Sequence, residues 1–398
     1  MKLAARLQQL GTETAFAVSA EANAHKAAGN HVYPFHLGDM NIRTPDNIIA
    51  AAERAMHEGR TGYCPTHGIP ELRAALAADI NASHGTGYTG ENVAVQPGGK
   101  PVIGKFILAT MNPGDEALYP NPGYPIYESQ IEFHGGTAVP YPYAPGEKNF
   151  RIDLDAIEAR ITDRTRLLIV NDLNNPTGAE ALPEERARLA ALAEKHNLTV
   201  LLDEAYFDIR YEGQSKSIVS EPGMEKRSVL LYTFSKKFAM TGWRLGAAVG
   251  PVDVITAIAR LNVNDESCSN HFIQHAAVEA LTGDQAGPRD ILARLKVRRD
   301  LCVDLLNKMP GVHCYRPGAT FYVFPDVTEA MAAKGLDKYE DFRKGVLRET
   351  GVSFCTRLHF GRLQPGENRK YIRFAYSGIG EEQIEEGLGK LDAYLRRG

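Results

Sequence analysis

The chain has 398 residues, with 45 basic and 49 acidic side chains and a formal net charge of −4. Hydrophobic residues make up 43% and charged residues 24%, which is typical of a globular protein with a large core and excludes a mostly disordered chain. The nearly balanced charge argues against the one-sided basic field that nucleic-acid binding usually requires. There is no run of about 18 apolar residues, so the sequence predicts no membrane span.

The cysteines and the N-terminus indicate a reduced, cytoplasmic protein. The five cysteines are scattered and form no CxxC pair, which argues against a disulfide framework or a zinc ribbon. The first residues soon turn polar and lack the apolar core of a signal peptide. His271 and His275 have the i,i+4 spacing of a metal pair, but no third ligand is evident, so we expect no metal.

The middle of the chain alternates short apolar runs with amphipathic segments. Helical spacing is found over residues 98–110 and 182–196, and the apolar runs predict strands at 93–96, 116–119, 166–170, 199–202, 229–232 and 245–250. Continuous apolar strands separated by helices indicate a mostly parallel sheet that is covered on both faces. The sequence therefore predicts a large α/β domain.

The pattern changes after about residue 285. One long charged helix is predicted over about 289–309, and it is followed by short apolar runs at 313–315, 321–324 and 371–375. This α+β pattern predicts a smaller second domain, and the first residues, with little sheet signal, are expected to pack against it. We divide the chain into an N-terminal arm with part of the small domain (1–48), a large domain (49–285) and a small C-terminal domain (286–398).

Glycines, polar side chains and an aromatic follow the predicted strands where each strand ends. In open α/β sheets, ligands bind beyond the carboxyl ends of the strands, so these groups are expected to meet. The segments in question are Gly98-Gly99-Lys100, residues 120–125, residues 171–178, residues 203–206 and residues 233–237. Together their chemistry is complementary to a ring that carries a phosphate, a phenolic oxygen, a basic nitrogen and an aldehyde.

Residues 233–246, TFSKKFAMTGWRLG, resemble the lysine motif of the class I/II aminotransferases, which are pyridoxal-5′-phosphate (PLP) enzymes of fold type I. Asn-Pro-Thr-Gly at 175–178 and Asp-x-x-Tyr at 203–206 precede this motif in the family's order and at plausible spacing. The similarity spans residues 38–373. The resemblance implies a seven-stranded, mostly parallel sheet sandwiched by helices, a smaller α+β domain and PLP as cofactor. It also implies a homodimer with a shared active site, which transfers the amino group of an L-α-amino acid to a 2-oxo acid by a ping-pong mechanism.

Lys236 is the residue that the resemblance assigns to the internal aldimine with PLP. A lysine amine attacks the cofactor aldehyde, and the freed amine can then carry a proton as general base and acid. Lys237 is its obvious rival, but the family spacing Ser-Lys-x-Phe selects Lys236 because Phe238 is then in register. The plain alternative is that both are surface lysines.

Three further residues are assigned to the cofactor ring by the resemblance. Asp203 would pair with the protonated ring nitrogen and keep the ring an electron sink; its alternative is a helix N-cap. Asn175 and Tyr206 would hydrogen-bond the phenolic oxygen. Their alternatives are an Asn-Pro turn and an ordinary half-buried tyrosine.

The phosphate requires donors, and the family pattern supplies them at a helix start and in the lysine motif. The residues concerned are Gly98, Gly99, Lys100, Thr233, Ser235 and Arg244. Tyr63 resembles the tyrosine that reaches the phosphate from the neighbouring subunit, and Tyr124 resembles the aromatic that stacks on the ring. Taken singly, Gly98-Gly99 is also compatible with a tight turn and Tyr124 with a core tyrosine.

Arg373 matches the arginine that grips the substrate α-carboxylate, with Gly38 and Asn175 beside it by similarity. The alternative for Arg373 is a buried ion pair. Three segments depart from the family pattern: Leu173 where many members have proline, Asp39-Met40-Asn41 in place of Glu-Pro-Asp, and residues 354–357 where Pro-Gly is usual. Lys100 and Arg357 are candidates to meet an acidic substrate group or are solvated charges, so the sequence leaves the substrate open.

Other chemistries are compatible with the same cofactor residues. A β-lyase, decarboxylase, racemase or amino-acid oxidase would use them equally, because the surrounding pocket decides the fate of the carbanion. Arg373 favours transamination slightly, since a held carboxylate discourages decarboxylation. A non-catalytic sensing domain of the PLP fold is disfavoured, because such domains usually come fused to a DNA-binding module and only 37 residues precede Gly38.

Overall fold

The fold is described here from a computed structural model, which describes residues 1–11 and 15–397. In these ranges the helices α1 to α13 are Ala15–Ala27, Asp46–His57, Pro70–His84, Lys100–Thr110, Ile126–Phe133, Leu154–Glu158, Pro183–Lys195, Val252–Asp265, His271–Thr282, Ala286–Leu306, Thr328–Ala333, Tyr339–Thr350 and Glu381–Arg396. The strands β1 to β13 are Tyr33–Pro34, Val93–Gln96, Glu116–Asn121, Thr137–Pro145, Phe150–Ile152, Thr165–Val170, Thr199–Asp203, Ser228–Thr233, Gly246–Val249, Tyr322–Val323, Val352–Ser353, Cys355–Thr356 and Ile372–Ala375.

The main sheet has the strand order β2-β9-β8-β7-β6-β3-β4-β5. Strands β4, β3, β6, β7 and β8 run parallel to one another, whereas β9 is antiparallel to both of its neighbours. The central strands are apolar runs that are buried over nearly their whole length, as strands covered on both faces must be. The predicted α/β sheet is therefore confirmed, and all six predicted strands lie in it.

Within residues 1–11 and 15–397 this sheet has eight strands, so the expected number of seven strands is wrong. The eighth strand, β5, has three residues and pairs antiparallel with the end of β4, with Tyr143 opposite Ile152. The sequence does not predict β4, because Pro140, Pro142 and Pro145 interrupt the run of apolar residues that would indicate a strand. Prolines are compatible with a strand near the sheet edge, where fewer N–H groups are needed.

Two small sheets are built from strands of the C-terminal third of the chain together with β1 from near the N-terminus. Strands β10, β13 and β12 form an antiparallel sheet, and β1 pairs in parallel with β11. The N-terminal residues thus contact the C-terminal part, as the sequence predicts, and an ion pair of 2.7 Å joins Glu21 to Arg343. The segment 313–315 contributes only a single bridge, between His313 and Asp326. The division at residues 48 and 285 stays a prediction.

None of the helices in residues 1–11 and 15–397 combines the length and the apolar character needed to cross a bilayer.

Candidate active site

A cavity of about 550 Å³ lies beyond the carboxyl ends of β7 and β8, at the edge where the sequence analysis expects the ligand. One side is formed by the ends of these strands and by the start of α4, and the other by residues of the two small sheets and their loops. The cavity is lined by twelve of the predicted site residues: Gly38, Gly99, Lys100, Tyr124, Asn175, Asp203, Tyr206, Thr233, Ser235, Lys236, Arg244 and Arg373.

The two adjacent lysines point in different directions. Phe234 and Phe238 are fully buried and anchor the segment on both sides. Lys236 lines the cavity, and its Nζ donates a hydrogen bond to the main-chain oxygen of Gly38 at 2.9 Å. Lys237 does not line this cavity. Its Nζ lies 3.1 Å from Asp208 Oδ1, and both residues border a separate small cavity. The geometry thus favours Lys236 over its rival as the residue that meets a ligand.

Asp203 is a buried carboxylate with a cavity-facing position. It is the last residue of β7 and is only 6% exposed. The Tyr127 hydroxyl donates to Oδ2 at 2.5 Å, and the N–H of Ala205 donates to Oδ1 at 3.2 Å. Burial raises the pKa of Asp203, although both hydrogen bonds act in the opposite direction. A cation in the cavity would offset that desolvation, so the site suits a protonated ring nitrogen.

Asn175 and Tyr206 both line the cavity, Asn175 from the loop after β6 and Tyr206 from the loop after β7. The N–H of Asn175 donates to Asn171 Oδ1 at 2.9 Å, which fixes the loop after β6. Tyr206 is buried and its hydroxyl lies 2.9 Å from that of Tyr322. Both residues therefore present amide or hydroxyl groups to one cavity, as is needed to bind a phenolic oxygen.

Arg373 has a guanidinium that is only partly satisfied by the protein. Its Nη1 donates to Asn175 Oδ1 at 2.9 Å and its Nη2 donates to the main-chain oxygen of His36 at 2.7 Å. The rings of Tyr322 and Phe360 lie 4.4 and 4.6 Å from the guanidinium carbon. The Nε atom is buried and has no hydrogen-bond partner among residues 1–11 and 15–397. Because an unpaired buried donor is costly, the arginine is suited to a carboxylate ligand.

Two glycines and two hydroxyl groups form a cradle at the start of α4. Gly98 has a φ of +107°, and a Cβ there would collide with the Arg244 guanidinium. A Cβ on Gly99 would lie 2.8 Å from Leu231 Cδ2. Across from them the Thr233 hydroxyl donates to the Ser235 hydroxyl at 3.0 Å. The Gly98 N–H itself donates to the Gln96 oxygen at 2.8 Å. The N-terminus of α4 and the two hydroxyl groups together suit an anion such as a phosphate.

Besides Lys237, three candidates from the sequence analysis do not line the cavity: Gly98, Tyr63 and Arg357. Tyr63 does not line it and is 89% exposed. Arg357, a candidate for an acidic substrate group, is fully buried elsewhere. Its Nε and Nη2 contact the Glu367 carboxylate at 2.5 and 3.0 Å, and Nη2 also donates to Asn121 at 2.7 Å. Arg357 therefore holds loops together, and Lys100 is the candidate that lies at the site.

Some cavity residues were missed by the sequence analysis. Tyr127, Asn171 and Tyr322 line the cavity, and each contacts a predicted site residue as described above. Tyr127 lies in the first turn of α5, and Tyr322 lies in the apolar run 321–324, where a buried tyrosine is ordinary. Asn171 directly follows an apolar strand and lies in the segment 171–178 that was expected at the ligand edge, but it was not singled out as a site residue.

The donor set fits PLP: a buried carboxylate, a helix start preceded by two glycines, a lysine amine and a partly unpaired arginine. When bound, PLP supplies an electron sink that stabilises negative charge on the substrate Cα. Asp203, Asn175, Tyr206, Tyr124 and the cradle residues would hold it. Fold and site together define a PLP-dependent enzyme of fold type I.

Comparison with known families agrees with this class. Residues 31–391 match the family model described as "Aminotransferase class I and II". The chain belongs to this family, and it is a PLP-dependent aminotransferase.

The relatives cover almost the whole chain. An aspartate aminotransferase of Musicola paradisiaca is 32% identical over 99% of this chain and 98% of its own length. An aspartate/prephenate aminotransferase of Cereibacter sphaeroides is 36% identical over 95% and 94%. The structure of aspartate aminotransferase from Thermus thermophilus with maleate is 30% identical, with a TM-score of 0.90 over 99% of both chains. These relatives support transamination and not the β-lyase, decarboxylase, racemase or oxidase alternatives.

Proposed function

We propose that this aminotransferase takes the amino group from an amino acid with an acidic side chain, with L-aspartate as the first donor to test. In this proposal Lys236 holds the cofactor and carries the proton, and Arg373 binds the α-carboxylate. Asp203, Asn175, Tyr206, Tyr124 and the cradle at the start of α4 bind the cofactor.

The charge of the cavity is the observation that carries the substrate proposal. Apart from Lys236, which holds the cofactor, three basic side chains line it, Lys100, Arg244 and Arg373, together with the two acidic residues Asp39 and Asp203. The cofactor phosphate would engage Arg244, and the substrate α-carboxylate would engage Arg373. A second substrate carboxylate would then complement Lys100, which is the first residue of α4. The names of the relatives, aspartate and aspartate/prephenate aminotransferases, support the same substrate class.

Proton transfer is assigned to the Lys236 amine. Its hydrogen bond to the Gly38 oxygen points the amine at the residues that border the substrate position. A neutral amine there would accept a proton from the substrate Cα, provided that the two groups lie within hydrogen-bond reach. The buried Phe321 ring, 5.2 Å from Nζ, limits water around this amine.

A donor with a side-chain amide is the second candidate, and Asp39 is the reason. Asp39 lines the cavity where many family members have glutamate, and its Oδ1 accepts a hydrogen bond from the Thr241 hydroxyl at 2.7 Å. The Asp39 carboxylate would accept a hydrogen bond from a side-chain amide nitrogen, and the Lys100 amine would donate one to the amide oxygen. L-asparagine is therefore included as a donor in the test.

The active site is proposed to be shared across a homodimer. Tyr63 resembles a tyrosine that contacts the phosphate of the neighbouring subunit, and its large exposure leaves it available for such a contact. In the dimer, each site would receive Tyr63 from its partner, which would explain why this residue does not line the cavity of its own chain.

The substrate proposal is tested by steady-state kinetics with L-aspartate, L-glutamate, L-asparagine and L-phenylalanine. Lys100→Met should lower kcat/KM for L-aspartate by about 10- to 100-fold, the loss expected for one charged hydrogen bond, and should leave L-phenylalanine nearly unaffected. Arg373→Lys serves as the matched variant, because it should lower kcat/KM for all four donors by a similar factor. An equal loss for all donors in Lys100→Met would contradict the acidic side-chain site.

A further inference from the structure

A second, much smaller cavity lies behind the cofactor site. Asp203 and Lys236 line the active-site cavity, while the next residue of each, Glu204 and Lys237, lines a cavity of about 20 Å³. This volume is enough for about one water molecule. Helix α3 closes its other side. We define the Lys237 cluster by the charged side chains and the histidine that line this cavity: Asp79, His84, Glu204, Asp208 and Lys237.

Lys237 is held by two carboxylates in this cluster. Its Nζ lies 3.1 Å from Asp208 Oδ1 and 3.8 Å from Asp79 Oδ1, and its side chain is only 18% exposed. Burial alone would lower the pKa of Lys237, but the two carboxylates outweigh it and the pKa is raised. Lys237 therefore stays charged, and its ion pairs tie the lysine motif to α3 and to the loop after β7.

His84 and Glu204 form the other half of the cluster. His84 Nε2 lies 2.7 Å from Glu204 Oε2, and the imidazole stacks on Phe207 with 4.2 Å between ring centroids. Burial would lower the pKa of His84, but the Glu204 carboxylate outweighs it and raises the pKa. The phenols of Tyr88 and Tyr232 face the same charges; burial raises the pKa of both, so they stay neutral.

The charges of this cluster reach the cofactor site. After burial and its own hydrogen bonds, Glu204 is a further cause of the raised pKa of Asp203. The lysine of the cluster is one peptide bond from Lys236. Yet the amino-transfer chemistry proposed above uses none of the five members directly.

We infer that Lys237 is a positioning residue, whose ion pairs with Asp208 and Asp79 fix the direction of Lys236 and balance the charge behind the cofactor. This inference rests on the proposed role of Lys236. It predicts that the cluster affects turnover more than substrate binding, because a displaced Lys236 amine fails to reach the reacting atoms while Arg373 still binds the carboxylate.

The test is Lys237→Met in the PLP-loaded enzyme, with Lys237→Arg as the conservative variant. In Lys237→Met, kcat should fall about 10- to 100-fold, as expected for a misplaced catalytic group, with KM nearly unchanged. Lys237→Arg should keep most of the wild-type kcat. The pH midpoint of the cofactor's visible absorbance should rise, because two carboxylates that lose their counter-charge favour the protonated form.

Lys105→Met is the matched control, since Lys105 is 5% exposed and pairs with Glu266 at 2.5 Å but adjoins no predicted cofactor residue. It should lower Tm while keeping kcat and the absorbance midpoint. Asp208→Asn keeps the shape of the cluster and removes a negative charge, so it should lower the midpoint. Opposite shifts of the absorbance midpoint in Lys237→Met and Asp208→Asn would show an effect of charge, which a merely destabilised fold would not produce. If Lys237→Met does not fold, Asp208→Asn alone provides the test.

Wild-type kcat and midpoints in both Lys237→Met and Asp208→Asn would overturn the inference, even if Tm falls. Loss of the visible band in Lys237→Met with cofactor still bound would also overturn it, because Lys237 itself would then hold the cofactor. A wild-type enzyme that shows a visible band but transfers no amino group would contradict the proposed function instead, and the absorbance midpoints would still test the positioning role.

Discussion

At the residue scale, Asp203 shows how burial and charge compete in the site. Its carboxylate is desolvated, so its pKa in the cofactor-free protein is raised above that of the unfolded chain. The stability linked to this group is therefore present below about pH 4 and is lost as pH rises through the raised pKa. A cation supplied by the cofactor would remove this cost, so Asp203 favours the loaded enzyme over the empty one.

Asp203→Asn should consequently separate stability from binding. We expect the cofactor-free variant to have a Tm at neutral pH equal to or above that of the cofactor-free wild type, because it buries no charge. Affinity for PLP should fall by at least about tenfold, the value of one charged hydrogen bond. Calorimetry at pH 4 and pH 7.5, together with equilibrium dialysis of PLP, checks both effects. A variant that binds PLP as tightly as the wild type would remove Asp203 from the ring nitrogen.

Also at the residue scale, site residues could be predicted from the sequence where several unusual features coincide in one motif. Lys236, Asp203 and Arg373 are charged residues next to apolar runs, where a solvated position is hard to arrange, and all three line the cavity. Tyr127 and Tyr322 were missed because tyrosines in apolar surroundings are common in any core. Spacing along one chain does not reveal which core tyrosines face a cavity.

At the scale of elements, the loop after β6 combines strain with a buried charge. Leu173 has a φ of +57°, which proline does not adopt, and this explains why proline is absent here although many family members have it. Asp172 Oδ1 accepts hydrogen bonds from the N–H groups of Leu173 and Ala181 at 3.0 and 2.8 Å. In the part of the chain that the structure describes, its buried Oδ2 has no hydrogen-bond partner. Burial raises the pKa of Asp172 to about 7.

This loop should make stability depend on pH. The folded-state pKa of Asp172 is raised, so its contribution is complete below about pH 4 and is lost as pH rises through about 7. We therefore expect the Tm of the wild type to fall between pH 5 and pH 8 more steeply than that of Asp172→Asn, which does not ionise. Scanning calorimetry over this range is the measurement. Parallel slopes for the two proteins would contradict a neutral Asp172 at low pH.

Prediction of elements from the sequence worked where residues form continuous apolar runs or helical periods. The strands of the sheet centre were found to within a residue or two at most ends, because burial on both faces leaves an unbroken apolar signal. Strand β4 was not found, since its prolines resemble a loop and only its pairing with β3 makes it a strand. The short strands of the small sheets likewise depend on pairing partners far away in sequence.

At the scale of the whole molecule, the proposed homodimer predicts complementation between subunits. Lys236→Ala and Tyr63→Phe would each damage their own homodimers, but a hybrid dimer would contain one site with both native residues. Random pairing of equal amounts makes about half of the dimers hybrids, so about a quarter of the sites should regain full function. Activity after mixing and refolding the two variants measures this. No gain over the separate variants would contradict a site shared through Tyr63.

The most direct test of the account asks which lysine carries the cofactor. The PLP-loaded protein is treated with borohydride, which traps the covalent link, and the digested chain is sequenced by tandem mass spectrometry across residues 233–246. We predict that the label lies on Lys236, and that it disappears when L-aspartate is added first without a 2-oxo acid, because amino transfer releases the lysine. A label on Lys237, or one that no amino-acid donor removes, would contradict the account.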